Sequence, residues 1–192
     1  MRIIDNAVPK SLFNHVVQKV KKLPFYFIET TALLADEPAL NNSSFHHTVF
    51  AANSGGILSQ DFFTLEAAIM VAFESCNEKI NNLNRIRIGL IAPQVTYTIH
   101  TPHIDCDMPH KTCLLYLNDS DGDTLIYKEK YTLDQHLNSR EYYNKNLNKN
   151  MNILYRSTPV ANRMVMFDGF HYHSSSTPTN TPARFVININ YN

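Results

Sequence analysis

The segment His100-Thr101-Pro102-His103-Ile104-Asp105 sets an imidazole and a carboxylate one residue apart. On extended backbone alternate side chains project to the same side, so His103 and Asp105 can grip one ion together. Toward the other end of the chain stands Phe167-Asp168-Gly169-Phe170-His171-Tyr172-His173, and eleven residues beyond His173 comes Arg184. Two imidazoles and one carboxylate on a single face of a metal leave the opposite positions free for an organic cosubstrate and O₂, which a closed four-ligand zinc site does not. A guanidinium at a suitable distance anchors a carboxylate through paired hydrogen bonds, and Arg184 is the candidate.

Groups so far apart in sequence meet only if strands bring them side by side. Residues 10 to 22 repeat Leu12, Phe13, Val16, Val17 and Val20 at helical spacing, with Pro24 as the stop. A second helix is predicted from Asp61 to about Asn81, where Phe62, Leu65, Ile69, Ala72, Phe73, Cys76 and Ile80 keep the same spacing. Residues 31 to 60 read as a long irregular excursion, a lid or a loop, and 134 to 150 as a polar insertion. After the second helix the period changes. Arg85 to Ile91, Gln94 to His100, Thr112 to Asn118, Thr124 to Lys128, Asn152 to Arg156, Asn162 to Phe167, Tyr172 to Ser175 and Arg184 to Tyr191 are short β-rich runs separated by turn residues. Leu23 to Thr30 is a further short candidate strand. This order predicts a mainly β fold, an antiparallel jelly roll, sandwich or barrel with supporting helices. The expected organisation is one domain over 1–192, with 1–84 supplying helical support and strands and 85–192 the jelly-roll core.

Strand parity sorts the residues further. Leu114 and Tyr116 share one face while Cys113, Leu115 and Leu117 share the other. In the last strand Arg184, Val186 and Asn188 lie on one side, with Phe185, Ile187 and Ile189 opposite. Cys113 is thereby expected in a core.

Composition narrows the field. The chain has 192 residues, 44% hydrophobic, with seventeen basic residues balanced by seventeen acidic ones, so no positive field draws it to nucleic acid. No apolar run is long enough to span a bilayer and the start lacks the plan of a signal peptide, so a cytoplasmic location without membrane attachment is expected. Three cysteines without CxxC spacing suggest neither a disulfide framework nor a zinc knuckle. The five glycines form no phosphate-cradling loop.

The ordered set His103, Asp105, His173 and Arg184 resembles the signature of the Fe(II)/2-oxoglutarate-dependent dioxygenases, particularly their prolyl-hydroxylase-like branch. Thr112-Cys113-Leu114-Leu115-Tyr116-Leu117-Asn118 is similar to the strand of that branch whose tyrosine helps hold the far carboxylate of 2-oxoglutarate. Asp121-Gly122-Asp123-Thr124 stands where many relatives have a Gly-Gly turn, with Asp123 replacing the second glycine. The resemblance covers about residues 85 to 191. It implies a double-stranded β-helix (cupin-like) core, Fe(II) held by His103, Asp105 and His173, and 2-oxoglutarate as cosubstrate anchored by Arg184 and Tyr116. It further implies hydroxylation of an unactivated C–H with O₂, releasing succinate and CO₂, and activity supported by ascorbate. The substrate would be a small molecule or a peptide, a prolyl residue among the candidates.

Alternatives remain open at this stage. His171 is the fallback for the distal ligand, since it and His173 can face the same side of a strand; His173 is preferred for its spacing to Arg184. His15, His46, His47 and His136 are read as ordinary surface or core histidines, and His100 and His110 as flanking groups of undecided role. Tyr97 and Thr98 read as β filling or as cosubstrate contacts. The competing function is a non-catalytic cupin-like module that binds metal or ligand without turnover.

Overall fold

The computed structural model describes residues 1–29, 43–132 and 151–192. In chain order these form β1 (Arg2–Ile4), α1 (Lys10–Val20), β2 (Tyr26–Ile28), β3 (Ser44–Ala51), a 3₁₀ turn (Ala52–Ser54), β4 (Gly56–Ile57), α2 (Phe62–Ser75), β5 (Leu83–Ile91), β6 (Lys111–Tyr116), β7 (Thr124–Lys130), β8 (Ile153–Ser157), β9 (Met164–Asp168), β10 (His171–Ser175) and β11 (Arg184–Tyr191).

A major antiparallel sheet runs β1-β9-β6-β11-β5-β3-β2, with β4 added on β3, and a minor sheet runs β10-β7-β8. The segment around the HxD motif flanks β10 through isolated bridges, Ile99 to Ser176 and His103 to His173. This is the jelly-roll arrangement, two sheets facing one another with helices behind the larger one.

The expected parity holds on both central strands. Cys113, Leu115, Ile187 and Ile189, with Ile86 and Ile88 of β5, face outward and pack under Phe13, Val16, Leu65, Ile69 and Phe73 of the two helices. That apolar layer locks the register, because a one-residue slip would turn every inward polar group toward the helices. Leu114, Tyr116 and Val186 face inward with Ile126, Val165 and Phe167.

Three expectations need correction, and one strand went unread. Residues 44–51 are not irregular: β3 is an eight-residue strand inside the major sheet, and the alternation in Ser44-Phe45-His46-His47-Thr48-Val49 was obscured by the polar residues at its start. Gln94 to His100 is no strand. Beyond the Ile99 bridge its backbone bonds are scattered, Gln94 N–H to Pro178 O and His100 N–H to Ser175 O among them. α2 ends at Ser75 rather than near Asn81, because Asn77 takes a left-handed φ of 54° and the Glu78 N–H bonds back to Phe73 O, a cap that asparagine tolerates. β1 was too short to be read from periodicity; it pairs with β9 through Arg2 and Met166. The expected insertion at 134–150 and much of the expected 31–60 excursion lie outside the described residues, as does His136. No described helix is long and apolar enough to cross a membrane.

Candidate metal centre

His103 follows an irregular segment, yet its position is fixed from the backbone outward. Its N–H donates to His173 O at 2.9 Å and His173 N–H returns the bond to His103 O at 2.9 Å. That reciprocal pair sets the two rings side by side, their centroids 4.7 Å apart. The ligand-capable atoms of His103, Asp105 and His173 all lie within 4.8 Å of one another.

Both rings also present the right nitrogen. The Nδ1 of His103 contacts Thr101 O and the Nδ1 of His173 contacts His171 O, each at 3.2 Å. A carbonyl only accepts, so Nδ1 carries the proton in each ring and Nε2 keeps its lone pair. His173 Nε2 is buried without a hydrogen-bond partner, 3.6 Å from Asp105 Oδ2. Burial pushes the His103 imidazole down to about 3, aided by neighbouring His173, and burial likewise lowers His173. Both are neutral at pH 7, as a metal ligand must be.

The Asp105 side chain is 1% exposed. Burial alone would raise its carboxyl, but Arg85 and the facing histidines outweigh that and hold it well below the usual carboxylate range. Arg85 Nη2 donates to Oδ1, Asn190 Nδ2 to Oδ2 at 2.9 Å, and Asn188 Nδ2 and Thr112 Oγ1 each at 3.2 Å. These partners come from β5, β6 and β11, whose register aligns Arg85 with Asn190 and Asn190 with Thr112. Sequence reasoning did not single them out. The available signal was parity: Thr112, Asn188 and Asn190 continue the inward faces already assigned to Tyr116 and Arg184.

Arg184 and Tyr116 do meet, through a third residue. Tyr116 Oη donates to Thr124 Oγ1 at 2.8 Å and Arg184 Nη2 donates to the same oxygen at 2.7 Å. The guanidinium carbon lies 5.7 Å from the centre of the Tyr116 ring. With both lone pairs of Thr124 Oγ1 engaged, its O–H is left to donate, and Arg184 Nε is buried with no partner among the described residues. Unsatisfied donors gathered around one buried cation fit a carboxylate. Gly122 makes this approach possible, since a Cβ there would stand 2.7 Å from Ser176 O and 3.1 Å from Arg184 Cδ. Asp123 is occupied at the turn, accepting from Thr158 Oγ1 at 2.8 Å and Arg156 Nη1 at 3.1 Å.

His171 stands outside the cluster. A register shift between His171 and His173 breaks their common facing, and the His171 Nδ1 donates to Tyr127 O at 2.7 Å. His100 is buried with its Nδ1 2.9 Å from Ser175 Oγ, and His110 pairs with Met108 O at 2.7 Å and Cys106 Sγ at 3.1 Å. Cys113 is buried in the core beneath the helices. One cavity joins the His103–Asp105–His173 cluster to Arg184: His103, His173, Thr124 and Arg184 line it, and so do Arg87 and His46. His46 is partly buried there, its Nε2 2.8 Å from Ser44 Oγ.

No family model matches the chain, and neither does any curated protein. Solved structures do match. An oxidoreductase of the 2OG-Fe(II) oxygenase family from Burkholderia pseudomallei superposes with a TM-score of 0.64 at 9% identity, covering 98% of this chain and 84% of its own. A prolyl hydroxylase from Trichoplax adhaerens, in complex with a hypoxia inducible factor oxygen degradation domain peptide fragment, gives 0.59 at 17% identity over 99% and 82%. HygX from Streptomyces hygroscopicus, with nickel and 2-oxoglutarate bound, gives 0.58 at 11% identity over 98% and 81%. The chain has the mainly β jelly-roll fold of the 2OG-Fe(II) oxygenases, prolyl hydroxylases among them.

Proposed function

We propose that this chain is, as one domain, an Fe(II)- and 2-oxoglutarate-dependent dioxygenase that hydroxylates an unactivated C–H bond. The observation that carries the reading is the convergence of His103, Asp105 and His173 within 4.8 Å, in the cavity where buried Arg184 has an unpartnered Nε. The residues fit the group they would hold. Two neutral imidazoles with free Nε2 lone pairs and a carboxylate bind Fe(II) from one side, and Arg184, Thr124 and Tyr116 would seat the far carboxylate of 2-oxoglutarate.

Bound Fe(II) supplies the activation of O₂, by which 2-oxoglutarate, O₂ and R–H become succinate, CO₂ and R–OH. The chain's own residues position and exclude. Arg85, Thr112, Asn188 and Asn190 hold Asp105 ionised and oriented. Thr101 O and His171 O fix the imidazole tautomers. Arg184 sits 3% exposed, so its charge meets the cosubstrate in a site shielded from water.

The substrate is an amino acid, another small molecule or a peptide, with a prolyl residue among the candidates; relatives in fold act with a peptide or with small molecules, as the complexes with a peptide fragment and with nogalamycin RO illustrate. The test is conversion of 2-oxoglutarate to succinate by protein supplied with Fe(II) and ascorbate, with and without candidate substrates, and a gain of one oxygen in the substrate by mass spectrometry. Bound metal and 2-oxoglutarate without succinate under any substrate would establish a non-catalytic binding module instead.

A further inference from the structure

The inner face of β5 carries Arg85, Arg87, Gly89 and Ile91, which the register sets opposite Asn190, Asn188, Val186 and Arg184 of β11. Arg85 is committed to Asp105. Arg87 is not committed: half-buried in the wall of the metal cavity, it has no hydrogen bond or ion pair with any described residue. Among the described residues its surroundings offer no free carboxylate. His46 and Thr48 face it from β3, Asn188 from β11, and His103 and Asp105 from the loop above.

Charge makes that position costly. Among the described residues, Arg85, Arg87 and Arg184 bring three positive charges in or beside this cavity, and Asp105 returns one negative. Asp123, near Arg184, is offset by Arg156. A divalent ion and a dicarboxylate cosubstrate cancel each other and leave the excess unchanged. Arg184 faces the far carboxylate of the cosubstrate, so the cation left without an anion beside it is Arg87.

The two arginines leave the sheet at separate points. Arg184 aligns with Ile91, four residues along β5 from Arg87, or about 13 Å of strand. A five-carbon dicarboxylate spans about 6 Å end to end at ordinary bond lengths. Gly89 adds no side chain to the floor between the two arginines, and a Cβ there would touch Val186 Cγ1 at 3.5 Å and His46 Cδ2 at 4.0 Å.

We propose that Arg87 anchors the primary substrate by an oxyanion, a carboxylate or a phosphate, beside the metal ligands, so that the substrate class of this site is anionic. This rests on the oxygenase reading above. Arg87 is the specificity-determining residue, and the planar guanidinium favours a two-point contact over a point charge.

The test uses full-length protein loaded with Zn(II) and saturated with 2-oxoglutarate, so that Arg184 is already filled. Inorganic phosphate and N-acetylglycine are titrated as probes, with N-acetylglycinamide as the neutral control, and followed by proton–nitrogen NMR at the Gly89 amide and the Arg87 Nε–H. Both anions should shift these signals and the neutral amide should not. R87Q should weaken the anions at least about tenfold while R87K retains part of the affinity, and the affinity of R87Q for 2-oxoglutarate should stay within about twofold of wild type. Anions that bind R87Q as tightly as wild type overturn the proposal, as does a tenfold loss of 2-oxoglutarate affinity in R87Q, which would give Arg87 to the cosubstrate. Wild-type protein that takes up neither Zn(II) nor 2-oxoglutarate would sink both this proposal and the reading beneath it, a result distinct from the other two.

Discussion

Thr124→Val removes one oxygen at almost constant shape. That oxygen accepts from the Tyr116 hydroxyl at 2.8 Å and from Arg184 Nη2 at 2.7 Å, so the variant strands a buried hydroxyl and deprives a buried cation of a partner. An orphaned buried hydroxyl costs about 1–3 kcal/mol, and the lost charge-assisted bond adds to it. We expect a loss of about 2–4 kcal/mol, or about 5–15 °C in melting temperature for a chain of this length. The same variant removes the hydroxyl proton assigned to the cosubstrate, which should weaken 2-oxoglutarate about tenfold, equivalent to roughly 1.4 kcal/mol. Thermal melting and calorimetric titration of 2-oxoglutarate into Zn(II)-loaded protein measure both. Adding Tyr116→Phe gives the internal check. With donor and acceptor both gone the stability penalty should shrink, because no hydroxyl is left stranded and only the bond from Arg184 stays lost. A Thr124→Val protein with wild-type melting and wild-type cosubstrate affinity would refute the assignment of Thr124 as the link between Arg184 and Tyr116.

Other outcomes follow from the same geometry. Arg85→Met leaves the Asp105 carboxylate buried without its cation and should cost the metal-free protein about 2–4 kcal/mol, reduced from a fully buried pair because Arg85 is partly exposed; saturating Zn(II) should restore at least half of the lost melting temperature. Gly122→Ala puts a Cβ 2.7 Å from Ser176 O and 3.0 Å from Pro178 N, backbone atoms that cannot swing aside, so reduced stability and weaker 2-oxoglutarate binding should appear together. Burial, with nearby arginines, holds His46 at about 3 and His100 at about 4, and burial with His173 holds His103 at about 3. Near pH 6.5 these groups gain protons in the unfolded chain but not in the folded one, so the metal-free protein should keep its stability above that pH and lose it steadily toward pH 4. The slope is up to about 1.4 kcal/mol per pH unit for each group, read from urea midpoints at pH 7 and pH 5; a flat profile would contradict the buried neutral imidazoles.

The convergence of His103, Asp105 and His173 was legible from residue type, from the parity of His103 and Asp105, and from the spacing of His173 to Arg184 that the resemblance supplied. His103 and Asp105 share a side, Arg184 begins an inward face, and Tyr116 begins another. Alternation over a buried apolar layer gave β11 its bounds and placed the ends of β5 and β6 to within two residues. What parity could not supply was the partner across the strands. Asn188 and Asn190 matter because the register of β11 with β5 and β6 sets them beside Asp105, and Thr124 because β7 of the facing sheet brings it to Tyr116 and Arg184; both depend on pairing between distant segments. β3 was missed because its inward residues are polar, Ser44 and His46 facing the cavity, which breaks the pattern by which a strand is recognised. His171 and His173 could not be separated by counting, since the register shift between them appears only once β10 is paired with β7.

The most direct test of the metal centre is the stoichiometry of Fe(II) bound under anaerobic conditions by wild-type protein and by the His103→Ala, Asp105→Ala, His173→Ala and His171→Ala variants, each shown to be folded by circular dichroism. One ion per chain in wild type and in His171→Ala, with the ion lost from the other three, is the predicted result; retention of the ion by folded His103→Ala, Asp105→Ala or His173→Ala would contradict it.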